Sequence, residues 1–474
     1  MDEILAFSTV TELRNLILAK KISPVELTEG YLRRIDALDP LMNSYLTVMY
    51  DDAMNQAKKA EQSVMDKGSA LGPLHGIPIS VKDLDAVKGI RTTFGSLVFK
   101  DYISKQDSII IERIKNSGAI ILGKTNTSEF GLLGHTENKL GDHCRNPWNL
   151  ERTSGGSSGG AAAAVSAGLC VLALGSDGGG SIRNPASFCG VYGLKPTQNR
   201  VPLHTTSIRK EAPNQFSQSG PISRSVADAA ILLKVISGYD ERDPRSIKDL
   251  VPDFINEVNN PINHFKLGWC SKLGFSPVDY SVMDIIKKGL HSISSVVRKT
   301  DLIEMNIEDT FLEFWQIFTA NFYAKYSWLL SENKSDLTWY TIDALEYGAK
   351  VTGAEYSSAL GKIDLMKHKF SLKFESYDLI LTPTMTVEAF PVGCPPTQIN
   401  DEIIDPFYGA FPFTFPINMI GFPAASIPCG FTENGMPVGL QVIANIGEEG
   451  KIFAFSRAFE QLNPWIQLKP TQIN

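Results

Sequence analysis

The chain has 474 residues, of which 43% are hydrophobic and 20% charged, and its formal net charge at pH 7 is -7. Nucleic-acid binding requires a basic surface, and because no basic stripe stands out, we expect no nucleic-acid partner. The acidic first segment, MDEILAFSTV, differs from a secretory leader, and the longest apolar run, residues 161–175, is too short to cross a bilayer. We therefore expect a cytoplasmic protein that makes no membrane contact.

Alternating helix and strand patterns run along most of the chain. The first 65 residues predict two amphipathic helices, the second with Ser23 as N-cap, Pro24 at its first position and Glu26 completing a capping box. Apolar, β-branched segments predict strands, and two apolar runs joined at Asn434-Gly435 predict a hairpin. The other predicted strands are HGIPISVKD, GAIILGKT, LCVLALGSD, VYGLKP, HFKLGWC and YDLILTPT. This order of elements predicts an α/β fold with a mixed sheet covered by helices.

We expect one folded unit over residues 1–474. Its parts are N-terminal helices at 1–65, a core with the chemical motifs at 66–255, a helical cover at 256–375, and strands, a hairpin and a helix at 376–474. The cover contains the aromatic segment FLEFWQIFTANFYAKYSWLL. Aromatic stripes of this kind belong to a core more often than to a substrate cleft.

The six cysteines are scattered along the chain and form no CxxC pair. This spacing indicates neither a disulfide framework nor a zinc site, so we expect reduced, mostly buried thiols and no metal ion. The six are Cys144, Cys170, Cys189, Cys270, Cys394 and Cys429.

The segment GAIILGKT, residues 118–125, matches the phosphate-loop pattern letter for letter. A phosphate loop needs its strand before the first glycine and an open loop between the two glycines. Here the residues between the glycines are Ala, Ile, Ile and Leu, which predict the strand itself. We therefore expect Lys124 to be a structural or solvated residue, and a nucleotide-dependent enzyme remains a weaker hypothesis.

The segment LALGSDGGGSIRNPASFCG predicts a strand that ends at Ser176-Asp177, followed by three glycines and Ser181. Consecutive glycines allow several backbone N–H groups to point at one spot, which is what a developing oxyanion requires. Ser181 is therefore a candidate acyl-transfer nucleophile. A plain glycine turn is the alternative interpretation.

A serine nucleophile needs a base, and none of the seven histidines lies in a pattern typical of a Ser-His-Asp arrangement. Lys82 follows an otherwise apolar predicted strand and is a candidate base if burial keeps its amine neutral. The alternative is an ion pair with Asp83 or Asp85, since buried charges are usually paired.

The block TSGGSSGGAAAAVSAGLCVLALGSDGGGSIRNPASFCGVYGLKPT resembles the signature region of the amidase signature family, and PLHGIPISVKDL resembles the lysine strand of that family. Ser157 and Ser181 are 24 residues apart, the separation that the family keeps between its two catalytic serines. The segments ILGKTNTSEFG, NPWN, SQSGPISRSVADAA, FPINMIGFPAASIPCGF and GMPVGLQVIA also fit. The resemblance implies the amidase signature fold, with helices on both faces of a central mixed sheet.

The resemblance also implies roles for individual residues. Ser181 matches the nucleophile, Ser157 the bridging serine that follows a cis peptide bond, and Lys82 the base. The oxyanion hole matches the N–H groups of Gly178, Gly179, Gly180 and Ser181, and the supporting residues match Ser158, Asp177 and Arg183. No metal or organic cofactor is implied. Gly178 departs from the family, in which a side chain such as Thr or Ile is more common.

The sequence also bears on the class of substrate. One branch of the family, the glutamine-hydrolysing subunit of tRNA-dependent amidotransferases, holds the substrate carboxylate with an arginine in its C-terminal half. Here no arginine occurs between Arg298 and Arg457, and FYGAFPFTFPINM is apolar where that branch carries an acidic residue. We therefore expect a stand-alone amidase, a monomer or a homodimer, that acts on small apolar amides, including aryl acylamides and aliphatic amides, and on carbamates (urethanes) and esters.

We expect the substrate pocket to be lined by Thr127, Phe130, Phe314, Trp315, Phe318 and Phe411. The alternatives are a glutaminase subunit of an amidotransferase and, from another functional class, a catalytically silent binding protein of the same fold.

Overall fold

A mixed β-sheet forms the centre of the protein. The computed structural model describes residues 3–67, 71–203, 212–213, 215–273 and 276–473. Within these residues the sheet has eleven strands in the order β1-β3-β2-β6-β8-β7-β14-β15-β11-β9-β10. They are β1 (Tyr45–Val48), β2 (Pro78–Lys82), β3 (Ile120–Thr125), β6 (Leu172–Asp177), β7 (Tyr192–Lys195), β8 (Gln218–Ser223), β9 (Lys266–Trp269), β10 (Lys299–Leu302), β11 (Leu379–Pro383), β14 (Ala424–Phe431) and β15 (Pro437–Ile443). Two-stranded pairs lie outside it: β4 (Arg145–Asn146) with β5 (Asn149–Thr153), and β12 (Gln398–Ile399) with β13 (Glu402–Ile403).

Helices flank this sheet. In chain order they are α1 (Glu3–Ala6), α2 (Val10–Leu18), α3 (Pro24–Met42), α4 (Tyr50–Lys67), α5 (Ile109–Asn116), α6 (Gly159–Ser166), α7 (Arg183–Cys189), α8 (Val226–Ile236), α9 (Phe254–Glu257), α10 (Tyr280–Ile293), α11 (Phe311–Tyr326), α12 (Trp328–Glu332), α13 (Trp339–Gly348), α14 (Gly353–Phe374), α15 (Phe415–Ile420) and α16 (Glu449–Leu462). None of the described helices is both long enough and apolar enough to cross a bilayer.

The predicted α/β class with a mixed sheet is confirmed. β2 is parallel to β3 and β6, and β9 is parallel to β10 and β11, whereas the remaining neighbours are antiparallel. The capping box that begins α3 is also confirmed: the Glu26 amide donates to Ser23 Oγ at 3.0 Å, and the Ser23 amide donates to Glu26 Oε2 at 2.9 Å.

Each strand predicted from the sequence is present, including the antiparallel hairpin β14–β15. In the central sheet the sequence analysis missed β1, β8 and β10, and outside it the short strands β4, β5, β12 and β13. β8 contains Gly220 and Pro221, which disfavour a central strand, yet it pairs with β6 and β7. Its tertiary contacts therefore outweigh its local preferences, and α8 packs against it.

The parallel pair β2–β6 positions the chemistry. Ile79 faces Leu172 and Val81 faces Leu174, so the two strands end close together at the same edge of the sheet. β2 ends at Lys82 and β6 at Asp177, and helix α6, which packs against both strands, begins directly after Ser157 and Ser158. The three sequence segments that carry the chemical motifs therefore converge on one edge.

Candidate active site

The amine of Lys82 lies at the centre of this edge. It donates hydrogen bonds to Ser157 Oγ at 2.6 Å and to Ser158 Oγ at 2.8 Å, and it lies 3.4 Å from the carbonyl oxygen of Ser176. The side chain is fully buried at the end of a strand whose other residues are also buried. Burial lowers the pKa of Lys82 to about 7, although the negative charges of Asp85 and Asp177 oppose the shift.

Ser157 and Ser158, the serines that contact this amine, directly precede α6. The peptide bond between Gly156 and Ser157 is cis, as the resemblance implied. The Ser158 amide donates to the carbonyl oxygen of Ser181 at 3.1 Å, which ties the start of α6 to the glycine loop. Ser158 Oγ also contacts the backbone of Ser176, with its hydroxyl donating to the Ser176 oxygen at 3.1 Å. Ser157 and Ser181 both line one cavity.

The glycine loop is held by a buried ion pair. Arg183 Nε donates to Asp177 Oδ2 and Arg183 Nη2 donates to Asp177 Oδ1, both at 2.9 Å, and both side chains are fully buried. The same carboxylate accepts the Gly180 amide at 2.7 Å and the Ile182 amide at 3.2 Å. The Gly180 N–H, expected from the sequence in the oxyanion hole, therefore points to Asp177 instead. Burial alone would raise the pKa of Asp177, but the guanidinium of Arg183 and the amide of Asn418 reverse the effect and hold it below the ordinary value.

Two residues that the sequence analysis missed complete this support. Asn418 Nδ2 donates to both the carbonyl oxygen and Oδ1 of Asp177 at 2.9 Å, and Arg183 Nη1 donates to Gln441 Oε1 at 2.6 Å. The available signal was an amide side chain inside an otherwise apolar segment, PINMI for Asn418 and VGLQVI for Gln441. Buried polar groups need partners, so such residues indicate a buried network.

The ion pair considered for Lys82 belongs to another lysine. Lys124 Nζ lies 2.8 Å from Asp83 Oδ1 and also donates to Thr92 Oγ1 at 3.0 Å, with both charged side chains fully buried. Lys124 lies in β3, and the residues between the glycines of GAIILGKT form that strand. The segment therefore lacks the open loop that would hold a phosphate, and Lys124 is a structural residue.

An aromatic cavity of about 80 Å³ opens onto both serines. Five of the six residues expected to line the pocket do so: Phe130, Phe314, Trp315, Phe318 and Phe411. Thr127 lies outside the lining; it is fully buried and its hydroxyl donates to the carbonyl oxygen of Ser128 at 3.1 Å. Further lining residues that the sequence analysis did not name include Leu84, Leu132, Asn184, Ser217 and Phe407.

The glycines allow the loop to pass close to this cavity. Gly180 has φ +122°, and a Cβ there would lie 2.2 Å from Thr414 Oγ1 and 2.6 Å from Asn184 Oδ1. At the position that departs from the family, a Cβ on Gly178 would lie 2.7 Å from Ser217 Oγ. The side chain of Ser217 thus occupies space beside Gly178.

Comparison with known proteins identifies the family of the chain. The Amidase family model matches residues 26–453. The chain is 35% identical to a glutamyl-tRNA(Gln) amidotransferase subunit of Rippkaea orientalis, over 98% of this chain and 99% of that protein, and 31% identical to an acylamidase of Rhodococcus erythropolis, over 99% and 98%. A bacterial aryl acylamidase of the amidase signature family superposes with a TM-score of 0.91 and 29% identity, covering 97% of each chain.

The match over most of the chain and the shared fold establish what kind of protein this is. The chain belongs to the amidase family and is an amidase signature hydrolase.

Proposed function

We propose that this protein hydrolyses the carbon–nitrogen bond of small apolar amides through an acyl-enzyme on Ser181, with Ser157 and Lys82 as the proton relay. The observation that carries the proposal is the hydrogen bond of 2.6 Å between Lys82 Nζ and Ser157 Oγ, at a lysine whose pKa burial lowers to about 7. A neutral amine in contact with a hydroxyl is a base able to take a proton from it.

In the proposed reaction, Ser181 Oγ attacks the carbonyl carbon of the substrate. Its proton passes to Ser157 Oγ while the Ser157 proton passes to Lys82 Nζ. The N–H groups of Gly178, Gly179 and Ser181 stabilise the oxyanion, by about 3 kcal/mol for each well-placed donor, whereas the Gly180 N–H is held by Asp177. The carbon–nitrogen bond then breaks as the relay returns a proton to the leaving nitrogen. Water attacks the ester of Ser181 by the same relay and releases the acid.

The aromatic cavity supports an apolar substrate. Phe314, Trp315 and Phe318 of α11 and Phe411 line the space beside Ser181, and such walls favour aryl or alkyl groups over charged ones. The named relatives include an acylamidase and an aryl acylamidase, which supports aryl acylamides and aliphatic amides as substrates. Carbamates and esters present the same carbonyl to the same nucleophile, so we include both as alternative substrates.

A second candidate function is the glutaminase reaction of a tRNA-dependent amidotransferase. The 35% identity to a glutamyl-tRNA(Gln) amidotransferase subunit over 98% of the chain favours it, and such a role would require further partner chains. A glutamine substrate brings a free carboxylate, which needs a cation. Because no arginine occurs between Arg298 and Arg457, and the cavity walls beside Ser181 are largely aromatic, we favour a stand-alone enzyme. We further propose that it is monomeric or homodimeric and cytoplasmic.

The test is a substrate panel: a p-nitroanilide, a p-nitrophenyl carbamate, an alkyl amide and glutamine. We expect turnover of the anilide and the alkyl amide, with little ammonia released from glutamine. Ser181→Ala and Lys82→Ala should lose at least about 10³-fold in kcat, whereas Ser335→Ala, an exposed serine, should not. A fluorophosphonate probe should label the wild type and not Ser181→Ala.

Each contrary result has a clear meaning. Full activity in Ser181→Ala would contradict the assignment of the nucleophile. No labelling and no turnover would favour the silent binding protein. Efficient glutamine hydrolysis would favour the amidotransferase role.

A further inference from the structure

A second, larger cavity adjoins the one that contains the serines. Its volume is about 290 Å³, against about 80 Å³ for the first. The two share lining residues, among them Phe130, Ser176 and Phe318, so a substrate seated at Ser181 extends naturally from one into the other. The walls of the second cavity carry further aromatic side chains from α11, including Phe322 and Tyr326.

Asp85 is one of the residues that line this second cavity. The residue is 9% exposed, and within the described chain no hydrogen bond or ion pair is formed by its side chain. Its neighbour in sequence, Asp83, contrasts with it: Asp83 binds Lys124 at 2.8 Å and accepts the Thr93 amide at 2.8 Å. A buried carboxylate without a donor is costly, so an unpaired one that faces a cavity indicates a ligand that supplies the donor.

The charges around Asp85 favour a cation as that ligand. The nearby charged groups are Lys82, Lys124 and Asp83. Lys124 is compensated by Asp83, and Lys82 is neutral whenever it acts as the base. Within the described residues Asp85 therefore has no ion pair of its own, and burial raises its pKa to about 6, although the charges of Lys124 and Lys82 oppose the shift. Among the described lining residues, Lys325 on α11 carries a positive charge. Its side chain is half-buried, and its Nζ lies 5.2 Å from the centroid of the Tyr326 ring.

We propose that the second cavity binds a part of the substrate that carries a protonated amine, with the carboxylate of Asp85 as its acceptor. The preferred substrate is then an amide in which an apolar chain or ring separates the scissile carbonyl from an ammonium group. This inference rests on the proposed amidase function. It assigns Asp85 to specificity, whereas Ser181, Ser157 and Lys82 act on the scissile bond.

The test compares matched substrates. One series consists of ω-aminoalkanoyl p-nitroanilides, the second of alkanoyl p-nitroanilides of the same length, and the third of ω-carboxyalkanoyl p-nitroanilides. A parallel set places the charge on the amine side, using monoacylated diaminoalkanes and N-alkyl amides. The variants are Asp85→Asn, which removes the charge and keeps the shape, Lys325→Met, and Asp364→Asn, an exposed carboxylate on α14, as matched control.

We expect the wild type to prefer the amino series over the neutral series by about tenfold or more in kcat/KM on at least one side of the scissile bond, as for a charge-assisted hydrogen bond. Asp85→Asn should bring this ratio to about one, while Asp364→Asn keeps it. The readout is the ratio of kcat/KM between the two series, because Asp85→Asn also changes the electrostatic environment of Lys82 and this effect applies to both series. An equal ratio in the wild type, or one that Asp85→Asn does not change, would overturn the inference. A preference for the carboxyl series that Lys325→Met removes would overturn it as well.

A binding measurement separates this inference from the proposed function. Hexylammonium and hexan-1-ol are titrated by calorimetry into the catalytically disabled Ser181→Ala protein and into Ser181→Ala/Asp85→Asn. Tighter binding of the ammonium that is lost in the double variant supports the cavity assignment even if no anilide is turned over. Equal binding of both probes overturns it, whatever the activity of the wild type.

Discussion

Lys82 Nζ lies 2.6 Å from Ser157 Oγ, and the lysine is completely buried. Of the carboxylates near it, Asp83 is engaged by Lys124, so the Lys82 amine bonds to hydroxyls rather than to an acid. Desolvation is therefore only partly offset by charge, and the pKa of Lys82 falls to about 7. Lys124 is paired with Asp83, whereas Lys82 has no ion pair within the described residues, and this difference supports Lys82 as the proposed base.

The first prediction concerns the pH dependence of activity. The base must be neutral, so kcat/KM for a neutral anilide should rise about tenfold per pH unit below pH 7 and level off above it. The midpoint should lie near the pKa of Lys82, about 7. The measurement is a pH–rate profile of the wild type with a neutral p-nitroanilide.

Replacing Asp85 tests whether Lys82 determines this pH profile. Its negative charge raises the pKa of Lys82, so Asp85→Asn should move the rising limb to lower pH. Asp364→Asn should leave it in place. A limb that moves to higher pH in Asp85→Asn, or a rate that does not depend on pH between 5 and 8, would contradict Lys82 as the base.

The second prediction concerns the ion pair that holds the glycine loop. Arg183→Met leaves the buried carboxylate of Asp177 without its main partner, and the free energy of unfolding should fall by about 3–5 kcal/mol at pH 7. Arg33→Met removes an exposed pair with Glu29 and should change it by less than about 0.5 kcal/mol. Urea denaturation at pH 7 measures both.

The pH dependence identifies the cause. Since the pKa of Asp177 is held below its ordinary value of 3.8, its contribution to stability is present above pH 4 and is lost as the pH falls through the folded value. Arg183→Met should therefore lose less stability than the wild type on acidification. Equal stability of Arg183→Met and wild type at pH 7 would show that the pair does not hold the loop.

The sequence predicted the strands that end at Lys82 and Asp177 because these segments are apolar and bounded by glycines. Periodicity alone left Lys82 open between an ion pair and a base, because partner choice depends on how β2 and β3 align across the sheet. The support from Asn418 and Gln441 lies over 200 residues from Asp177 in the chain, and β8 contains residues that disfavour strands. Such features arise from tertiary contacts, which local patterns do not encode.

The third prediction concerns GAIILGKT, the segment that matches the phosphate-loop pattern. Lys124→Met leaves buried Asp83 unpaired, so the free energy of unfolding should fall by about 3–5 kcal/mol. ATP with Mg²⁺ should leave the thermal midpoint of the wild type unchanged, because GAIILGKT forms β3 rather than an open loop. A midpoint that rises with ATP concentration, and does not in Lys124→Met, would restore the nucleotide hypothesis.

The fourth prediction concerns the backbone of the proposed oxyanion hole. Gly180 has φ +122° and a Cβ there would collide with Thr414 Oγ1, so Gly180→Ala must displace the loop. We expect a loss of about 1–3 kcal/mol in unfolding free energy and about 10² in kcat, since displaced N–H groups no longer face the oxyanion.

The matched control is Gly361→Ala. Gly361 lies in α14, and a Cβ there would meet nothing within 4 Å, so alanine should stabilise the helix by about 0.5–1 kcal/mol and leave kcat unchanged. Stability is measured by urea denaturation. The kcat value is measured with a p-nitroanilide at pH 8, above the Lys82 pKa of about 7. If Gly180→Ala kept full kcat, the N–H groups of Gly178, Gly179 and Ser181 would not form the oxyanion hole. If it lost kcat without losing stability, the loop would have moved at no energetic cost, and the contact with Thr414 would not fix its position.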